Sequence, residues 1–180
     1  MEVTPFAGYR FGGDFFELAT GRAVDADGAP SIGVLVDILF GPRTEGVHVE
    51  GLFSRQQVQV EARQGPFDPS ALVRVEVDHL QVGGIHELSD GRARPFLSGL
   101  VGLSRYSARG DSEVRFSVGA GGGVKLFATR HLGLRLDGRA YVTFVDAGAA
   151  GVCGGNGCLI RFTASPVWQA DFTAGLIVAF

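Results

Sequence analysis

The last thirteen residues of the chain, from Trp168 to Phe180, alternate between apolar side chains and small or polar ones. A period of two is the geometry of a β-strand, in which successive side chains point to opposite faces. One face is wholly apolar and ends on an aromatic residue, a pattern typical of a strand that crosses a membrane as part of a β-barrel. The predicted membrane-facing residues are Trp168, Ala170, Phe172, Ala174, Leu176, Val178 and Phe180.

Seven further segments alternate in the same way, so the sequence predicts eight strands. Each is long enough for the roughly 9–11 residues that a tilted strand needs to cross a bilayer. The predicted strands cover residues 2–13, 31–40, a segment that begins near Val47, 72–88, 94–104, 114–127, 132–144 and 168–180.

Two of these segments have a less regular pattern. In the third, the parity of the apolar residues changes beyond Arg55, which indicates either a β-bulge or an exit from the membrane. In the fourth, alternate valines are assigned to the lipid face and the charged residues between them to the interior. The valines are Val73, Val75 and Val77, and the charged residues are Arg74, Glu76 and Asp78. The phase beyond His79 is ambiguous.

The connections alternate between short and long. The short ones are 41–46, 89–91 and 128–131, and the long ones are 14–30, 56–70, 105–113 and 145–166. Short turns on one side and long loops on the other are typical of outer-membrane barrels. The sequence therefore predicts an all-β fold, a single domain over residues 1–180 forming an eight-stranded antiparallel up-and-down transmembrane β-barrel. An even strand number places both termini on the short-turn side, which is periplasmic in an outer membrane.

Composition narrows the class further. Charged residues make up 19% of the chain, below the roughly 25% of an average soluble protein. No stretch of about 18 apolar residues occurs, so a membrane location requires a closed barrel, in which every backbone group finds a partner. The net charge of −3 gives no basic surface for nucleic acid. No secretory signal precedes the first strand, so we expect a mature form with an added methionine; a cytosolic protein is the other interpretation.

Charged residues of both signs fall on the inward face in the assigned phases. The cations are Arg10, Arg74, Arg94, Arg115, Lys125, Arg135 and Arg139, and the anions are Asp37, Glu50, Glu76, Asp78, Asp137 and Asp171. The interior of an eight-stranded barrel is only wide enough for its own side chains, where unpaired charges are costly. We therefore predict a packed, self-neutralising interior. The alternative is a narrow ion path, or a gate in which ion pairs exchange partners.

The two cysteines, Cys153 and Cys158, flank three glycines in the last long loop. Glycine permits the tight reversal of a small disulfide ring, and the cell envelope is oxidising, so we predict a disulfide. A metal site is the rival, but two cysteines supply only two of the four ligands that zinc prefers. A redox pair of the thioredoxin type needs the spacing C-x-x-C, which is absent.

Three segments and the last residue carry a family resemblance: T-P-F-A-G-Y-R-F-G-G at 4–13, G-A-G-G-G-V-K-L-F at 119–127, L-G-L-R-L-D-G-R at 132–139, and Phe180. The chain resembles the small OmpA/OmpX-type outer-membrane barrels of Gram-negative bacteria, and more closely the uncharacterised outer-membrane β-barrel domain proteins. The resemblance covers essentially the whole chain. It implies a location in the outer-membrane bilayer. The peptidoglycan-binding domain that some members carry has no counterpart in this sequence, so the resemblance does not imply anchoring to the cell wall.

The resemblance also implies a partner. In this family, a C-terminal aromatic on an alternating last strand resembles the signal that the barrel-assembly machinery recognises. The residues that match this signal are Trp168, Phe172, Leu176, Val178 and Phe180.

No motif predicts catalysis or a cofactor. Three histidines, His48, His86 and His131, fall near the short-turn side, away from the outer rim where lipid-modifying barrels place their sites, and His79 lies mid-strand. No G-x-S-x-G elbow is present. The glycine run at 121–123 lies in a strand rather than before a helix, so it is not a phosphate loop. We expect it to accommodate a bulky interior side chain or a sharp bend.

Three functional hypotheses follow. The favoured one is a non-enzymatic barrel with a structural, adhesive or surface-binding role, whose loops at 14–30 and 145–166 meet a ligand. The second is a small channel or transporter, like the OmpW-like barrels that pass small hydrophobic molecules. Apolar loop residues would line the entry to such a channel, or they would equally cap the barrel. They are Phe15, Phe16, Leu18, Leu159, Ile160 and Phe162. The third is a soluble ligand-binding barrel of the lipocalin type, with the apolar face inside.

Overall fold

The computed structural model describes residues 1–12, 14–16, 23–25, 28–40, 46–62, 71–108, 111–144, 151–154, 157–161 and 167–180. Side chains are described within these ranges except at 14–16, 23–25, 59–62, 71–74, 108, 111, 151–154 and 157–161. The strands are β1 (Glu2–Gly12), β2 (Asp14–Phe16), β3 (Ala23–Asp25), β4 (Ala29–Leu39), β5 (Val47–Ala62), β6 (Ala71–Glu87), β7 (Ala93–Ala108), β8 (Asp111–Phe127), β9 (Leu132–Thr143), β10 (Gly151–Gly154), β11 (Gly157–Arg161) and β12 (Val167–Ala179).

Eight of these strands close into a barrel in the order β1-β12-β9-β8-β7-β6-β5-β4. All neighbouring strands pair antiparallel. Strands that are consecutive in the chain among these eight lie next to each other, and the pairing of β1 with β12 closes the ring. The predicted eight-stranded antiparallel up-and-down barrel is therefore confirmed.

The outer surface of the barrel is an apolar belt. On β12, Trp168, Phe172 and Leu176 are 63%, 64% and 65% exposed, whereas the alternating Asp171 and Ile177 are buried. The other barrel strands likewise present large apolar side chains outward, such as Ile32, Leu80, Leu97, Phe116 and Leu132. Soluble monomers rarely expose apolar patches beyond a few hundred Å², whereas a spanning barrel exposes such a belt to lipid. The hypothesis of a soluble barrel of the lipocalin type is therefore wrong.

The strands differ in length around the barrel. The four strands β5 to β8 have 16 or 17 residues, whereas β1, β4, β9 and β12 have 11 to 13. The register of β4 with β5 ends at Ser31 and Gln56, and that of β8 with β9 ends at Ser117 and Thr143. Beyond these pairs the four long strands form a tall wall, which comprises 57–62, 71–78, 105–108 and 111–116. The predicted long loops at 56–70 and 105–113 are correspondingly shorter than expected.

On β6 the tall wall inverts the pattern of the belt, whereas on β8 Val114 and Phe116 still face outward. The inversion on β6 corrects the assignment of Glu76 and Asp78 to the interior. Val75 and Val77 are only 1% and 0% exposed and face inward, as His79 does, so Glu76 and Asp78 share the outer face with Leu80. The prediction was wrong because it treated the valines as lipid-facing. Outside the membrane a sheet buries its apolar side chains and exposes its charges, so the parity of the pattern reverses.

The same reversal explains the change of parity on β5. The register between β5 and β6 runs unbroken from Val47–His86 to Ala62–Ala71, with no bulge. Val58 lies on the buried inner face that Ser54 and Gln56 share. The register therefore excludes the bulge, and the exit from the membrane stays the predicted explanation.

The long connections at 14–30 and 145–166 contain further strands that the sequence did not predict. β10, β11, β2 and β3 form a second sheet in that order, and its central contact pairs Arg161 of β11 with Phe16 of β2. β10 also lies against β7 and β8. The first and last long connections are thus joined beside the tall wall. No helix of the described residues is long and apolar enough to cross a membrane.

The opposite end of the barrel carries tight hydrogen-bonded turns and the two chain ends. Phe180 N donates to Met1 O over 2.9 Å, and Leu88 N donates to Pro95 O over 2.8 Å. Gly46, which precedes β5, has a φ of 61°, a left-handed conformation that favours glycine. Both termini therefore lie at the short-turn end.

The glycine run in β8 makes room for an interior aromatic ring, one of the two roles expected from the sequence. A Cβ placed on Gly123 would lie 2.0 Å from Leu136 O and 2.9 Å from Phe96 Cζ. Phe96 is buried in the interior beside this glycine. A side chain at Gly123 would therefore displace either the backbone of β9 or the ring.

We predict that Gly123→Ala destabilises the folded barrel by ~2 kcal/mol, because overpacking a filled interior forces strain. The matched control is Gly99→Ala, since a Cβ at this outward-facing glycine meets nothing within 4 Å. Urea unfolding of both variants in detergent micelles measures the difference. Equal unfolding midpoints for the two variants would show that the close approach at Gly123 carries no strain.

Candidate functional site

The short-turn end of the barrel interior is built around Lys125. Its Nζ lies 2.7 Å from a carboxylate oxygen of Glu2, 2.8 Å from one of Asp37 and 2.9 Å from one of Glu87. The lysine is fully buried, and so is Asp37. A buried ammonium group requires such compensation, because desolvation costs several kcal/mol per ion.

Two arginines continue this arrangement toward the middle of the barrel. Arg135 lies 3.1 Å from Asp37, 2.6 Å from Glu50 and 2.7 Å from Asp137. Arg139 lies 3.1 Å from Glu50 and 2.7 Å from Asp137. Asp37 thereby joins the lysine group to the arginine group. We call the set of Glu2, Asp37, Glu50, Glu87, Lys125, Arg135, Asp137 and Arg139 the lower charge cluster.

The sequence builds this cluster through the period of the strand. Arg135, Asp137 and Arg139 are two residues apart on β9, so all three point to the interior and each arginine reaches the same aspartate. The Arg135 guanidinium also lies 4.4 Å from the centroid of the Phe96 ring, a cation–π contact. The ring that Gly123 accommodates thus supports the cation at the centre of the cluster.

Above the lower charge cluster, five buried side chains form an apolar layer across the barrel: Phe6, Leu35, Leu52, Leu100 and Tyr141. Leu52 stands between Glu50 of the cluster and Ser54 beyond it on the same strand. The gap that the layer leaves beside Arg139 and Asp171 is too small for a water molecule. At this gap the layer leaves no room for water between Arg139 of the lower charge cluster and Asp171.

A second charge pair lies beyond the apolar layer. Arg10 donates to Asp171 Oδ2 from Nε over 3.1 Å and from Nη2 over 2.7 Å, and its Nη2 also donates to Ser54 Oγ over 2.8 Å. Ser31 Oγ donates to Asp171 Oδ1 over 3.0 Å. The guanidinium is 5.0 Å from the centroid of the Tyr141 ring. We call Arg10 and Asp171 the upper pair.

The interior thus contains eight of the residues predicted to line it: Arg10, Asp37, Glu50, Lys125, Arg135, Asp137, Arg139 and Asp171. Arg115 lies on the inward face near the start of β8, beside Glu113, with which it forms an ion pair. The side chain of Arg74 lies outside the described residues. Arg94, at the short-turn end, forms an ion pair with Glu87 over 3.3 Å.

Two members of the lower charge cluster were missing from the prediction. Glu2 has the inward parity of Thr4 and Arg10, which could have identified it, but it stands at the start of the first strand. Glu87 falls in the part of the fourth strand where the phase was ambiguous, and the inward His79 and Gln81 now fix that phase. With these two carboxylates, Lys125 has a complete set of partners.

Glu76 and Asp78 pair on the outer face instead. Arg55, on the neighbouring strand, donates to Asp78 Oδ1 from Nε over 2.7 Å and to Oδ2 from Nη2 over 3.0 Å. Its Nη2 also lies 3.2 Å from Glu76 Oε1. Arg55 is close to half exposed, so this pair lies in a solvated surface at the base of the tall wall.

The histidines do not form a site on the outer rim. His79 is fully buried in the interior and stacks on Tyr141, with ring centroids 4.8 Å apart. Its Nδ1 shares a hydrogen bond of 2.7 Å with Ser104 Oγ. Ser104 is also fully buried, so this serine–histidine pair contributes to interior packing and presents no nucleophile to a substrate.

The two cysteines occupy a hairpin of the second sheet. Cys153 of β10 and Cys158 of β11 are partners in the antiparallel register. Their side chains lie outside the described residues, so the disulfide stays a prediction. The same holds for the entry or cap formed by the apolar loop residues of 14–30 and 145–166.

The terminal strand presents the predicted assembly-signal residues on its outer face. Trp168, Phe172, Leu176, Val178 and Phe180 all alternate outward, and Phe180 is exposed at the end of the chain. This placement leaves the aromatic terminus accessible beside the seam between β12 and β1.

The architecture has a counterpart among solved structures. The crystal structure of Neisserial surface protein A (NspA) matches 99% of this chain and 96% of its own, with a TM-score of 0.66 and 12% sequence identity. This chain has the fold of the small eight-stranded outer-membrane barrels. At this identity the similarity establishes the fold alone.

Two further solved structures are more distant. Ail, the attachment invasion locus protein of Yersinia pestis, in complex with the heparin analogue sucrose octasulfate, has a TM-score of 0.48 and 14% identity over 98% of this chain and 97% of its own. The N-terminal β-barrel domain of Pseudomonas aeruginosa OprF has a TM-score of 0.45 and 9% identity over 97% and 96%. No protein-family model matches the chain, and no curated protein sequence matches it.

We predict that Arg135→Met destabilises the barrel by ~3–5 kcal/mol, because it leaves Asp37, Glu50 and Asp137 without their shared cation in a buried setting. Methionine keeps most of the side-chain volume, so the loss reports charge rather than a cavity. The matched control is Arg55→Met, which removes a partly exposed ion pair on the outer face and is expected to cost less than Arg135→Met. Unfolding of both variants by urea in phospholipid vesicles gives the comparison, and similar midpoints would contradict the role of the lower charge cluster.

Proposed function

We propose that this protein is a non-enzymatic integral outer-membrane barrel with a closed lumen and a structural or surface-interaction role. The observation that carries the proposal is the apolar layer of Phe6, Leu35, Leu52, Leu100 and Tyr141 between the lower charge cluster and the upper pair. A lumen filled in this way favours a structural protein over a channel. The balance of charge in the interior also gives no selectivity for ions of one sign.

The proposed orientation places both termini and the short turns in the periplasm. The tall wall and the second sheet then face the outside of the cell. Connections of unequal length on the two ends support this orientation, as they do in outer-membrane barrels generally. The bilayer is the principal partner of the belt, and the barrel-assembly machinery is the proposed partner of the terminal strand.

The proposed contact surface for an external ligand is the end of the barrel that carries the tall wall and the second sheet. Joined loops on a rigid barrel hold binding residues in place. The fully buried Ser104 and His79 support the non-enzymatic part of the proposal, because they have no access to a substrate.

We predict that the folded protein gives no steady single-channel conductance in a planar bilayer, because the apolar layer blocks the lumen. Folding is established first by the difference in gel migration between unboiled and boiled samples. The comparison is Leu35→Ala combined with Leu52→Ala, two residues paired across β4 and β5, which thins the layer and is expected to increase channel openings. A reproducible conductance of the folded parent protein would contradict the closed lumen and favour the small channel or transporter.

We predict that purified, unreduced protein has no reactive thiol, because Cys153 and Cys158 form a disulfide. After reduction of intact cells with a membrane-impermeant phosphine, an impermeant maleimide is expected to label both cysteines. In the comparison variant, Ser89→Cys in a background of Cys153→Ser and Cys158→Ser, label is expected only after permeabilisation. Two free thiols before reduction would refute the disulfide, and labelling of Ser89→Cys in intact cells would refute the orientation.

A further inference from the structure

The outer face of the barrel contains a groove of about 630 Å³ at mid-height on β1, β12, β9 and β8. Its lining is almost wholly apolar. The outward-facing residues that form it are Ala7, Tyr9, Val124, Leu136, Gly138, Phe172 and Ala174. The groove thus lies within the belt that faces lipid.

The strand register explains the shape of the groove. Ala7 of β1 and Ala174 of β12 are direct partners, and so are Phe172 of β12 and Gly138 of β9. Ala7 and Ala174 form the floor, because each of these outward positions carries only one methyl group, and Gly138 makes room for the ring of Phe172. Leu136, the partner of Ala174 on β9, and Val124, the partner of Leu136 on β8, form one wall.

The opposite wall is aromatic and fixed in place. Tyr9 and Phe172 are partners across β1 and β12, and the ring of Phe172 lies over Gly138, where a Cβ would be 3.3 Å from Phe172 Cε1. Phe11 packs against both rings, with centroid distances of 4.8 Å to Tyr9 and 6.3 Å to Phe172. The Tyr9 hydroxyl donates to the carbonyl of Gly28. The groove is therefore preformed, which lowers the cost of binding.

The surroundings of the groove determine its occupant. It is continuous with the apolar belt, and Asp137, which adjoins it through the backbone, turns its carboxylate inward to Arg135 and Arg139. No charged side chain of the described lining faces outward, so the groove offers no partner for a lipid headgroup. A second copy of the chain would need about 1,000 Å² of complementary surface, far more than one narrow groove supplies.

We propose that this groove binds one straight, saturated acyl chain of a membrane lipid in preference to the lipid that surrounds the rest of the belt. The proposal rests on the membrane location within the proposed function and is independent of whether the lumen is closed. A linear chain follows the small-residue floor and contacts the aromatic and aliphatic walls along its length. An unsaturated chain bends at its double bond and loses part of these contacts.

Quenching of tryptophan fluorescence by brominated lipid tests the proposal. The chain has a single tryptophan, so Trp168→Phe provides a silent background. In that background, Phe172→Trp is the groove reporter and keeps an aromatic residue in the wall. The matched control is Val82→Trp, at an exposed position of the belt on β6, on the far side of the ring of strands from β12.

Each reporter is refolded into vesicles that mix dibromostearoyl phosphatidylcholine with dimyristoyl or dioleoyl phosphatidylcholine. The residual fluorescence gives the relative binding constant of each unbrominated lipid at the reporter. At the groove reporter we expect dimyristoyl lipid to compete about threefold better than at the control, a difference of ~0.7 kcal/mol. Adding Ala174→Leu, which fills the floor, is expected to return the value to that of the control.

Equal constants at the two reporters would overturn the proposal, because the groove would then hold only the lipid that coats the belt. Loss of quenching at the groove reporter alone would also overturn it, since protein rather than lipid would then cover the groove. Loss of quenching at both reporters would instead show that the belt does not face lipid, which refutes the membrane location of the proposed function.

Discussion

Three carboxylates converge on the guanidinium of Arg135, and the rest of the interior is arranged around that convergence. Asp37, Glu50 and Asp137 come from three strands, β4, β5 and β9, so one side chain ties distant parts of the wall together. An eight-stranded wall leaves an interior only as wide as its own side chains, so each charge must find its partner within the barrel. The bare backbone of Gly123 leaves room for the ring of Phe96, and that ring packs against the guanidinium.

The sequence predicted most of this interior because a period of two assigns each side chain to one face. β9 and β12 show why: in both, an uninterrupted alternation places Arg135, Asp137, Arg139 and Asp171 inside and most of the large apolar residues outside. The prediction failed where the environment changes along a strand. On β6 the same valines that would face lipid inside the membrane face the interior above it, and Glu76 and Asp78 turn outward to Arg55.

Other features were not accessible to pattern analysis. Glu2 and Glu87 lie at strand ends, where few neighbours fix the phase, so their contact with Lys125 depends on the closed ring. The second sheet forms through pairing between segments that are more than one hundred residues apart, such as Phe16 and Arg161. No local signal in either segment specifies such a partner. The groove between β1, β12 and β9 likewise exists only because the register sets Ala7 opposite Ala174 and Phe172 opposite Gly138.

The pairing of β1 with β12 has a consequence for how the barrel folds. The first strand remains half-paired until the final residues of the chain are available, and the contacts across this seam, such as Arg10 with Asp171, span 161 residues. Contacts of such long range are slow to form, because the entropy of the intervening loop is lost before they stabilise the chain. Every incomplete barrel therefore carries two open strand edges, each a template for aggregation. Pairing of β1 with β12 removes both edges together, and the hydrogen bond from Phe180 N to Met1 O lies at this seam.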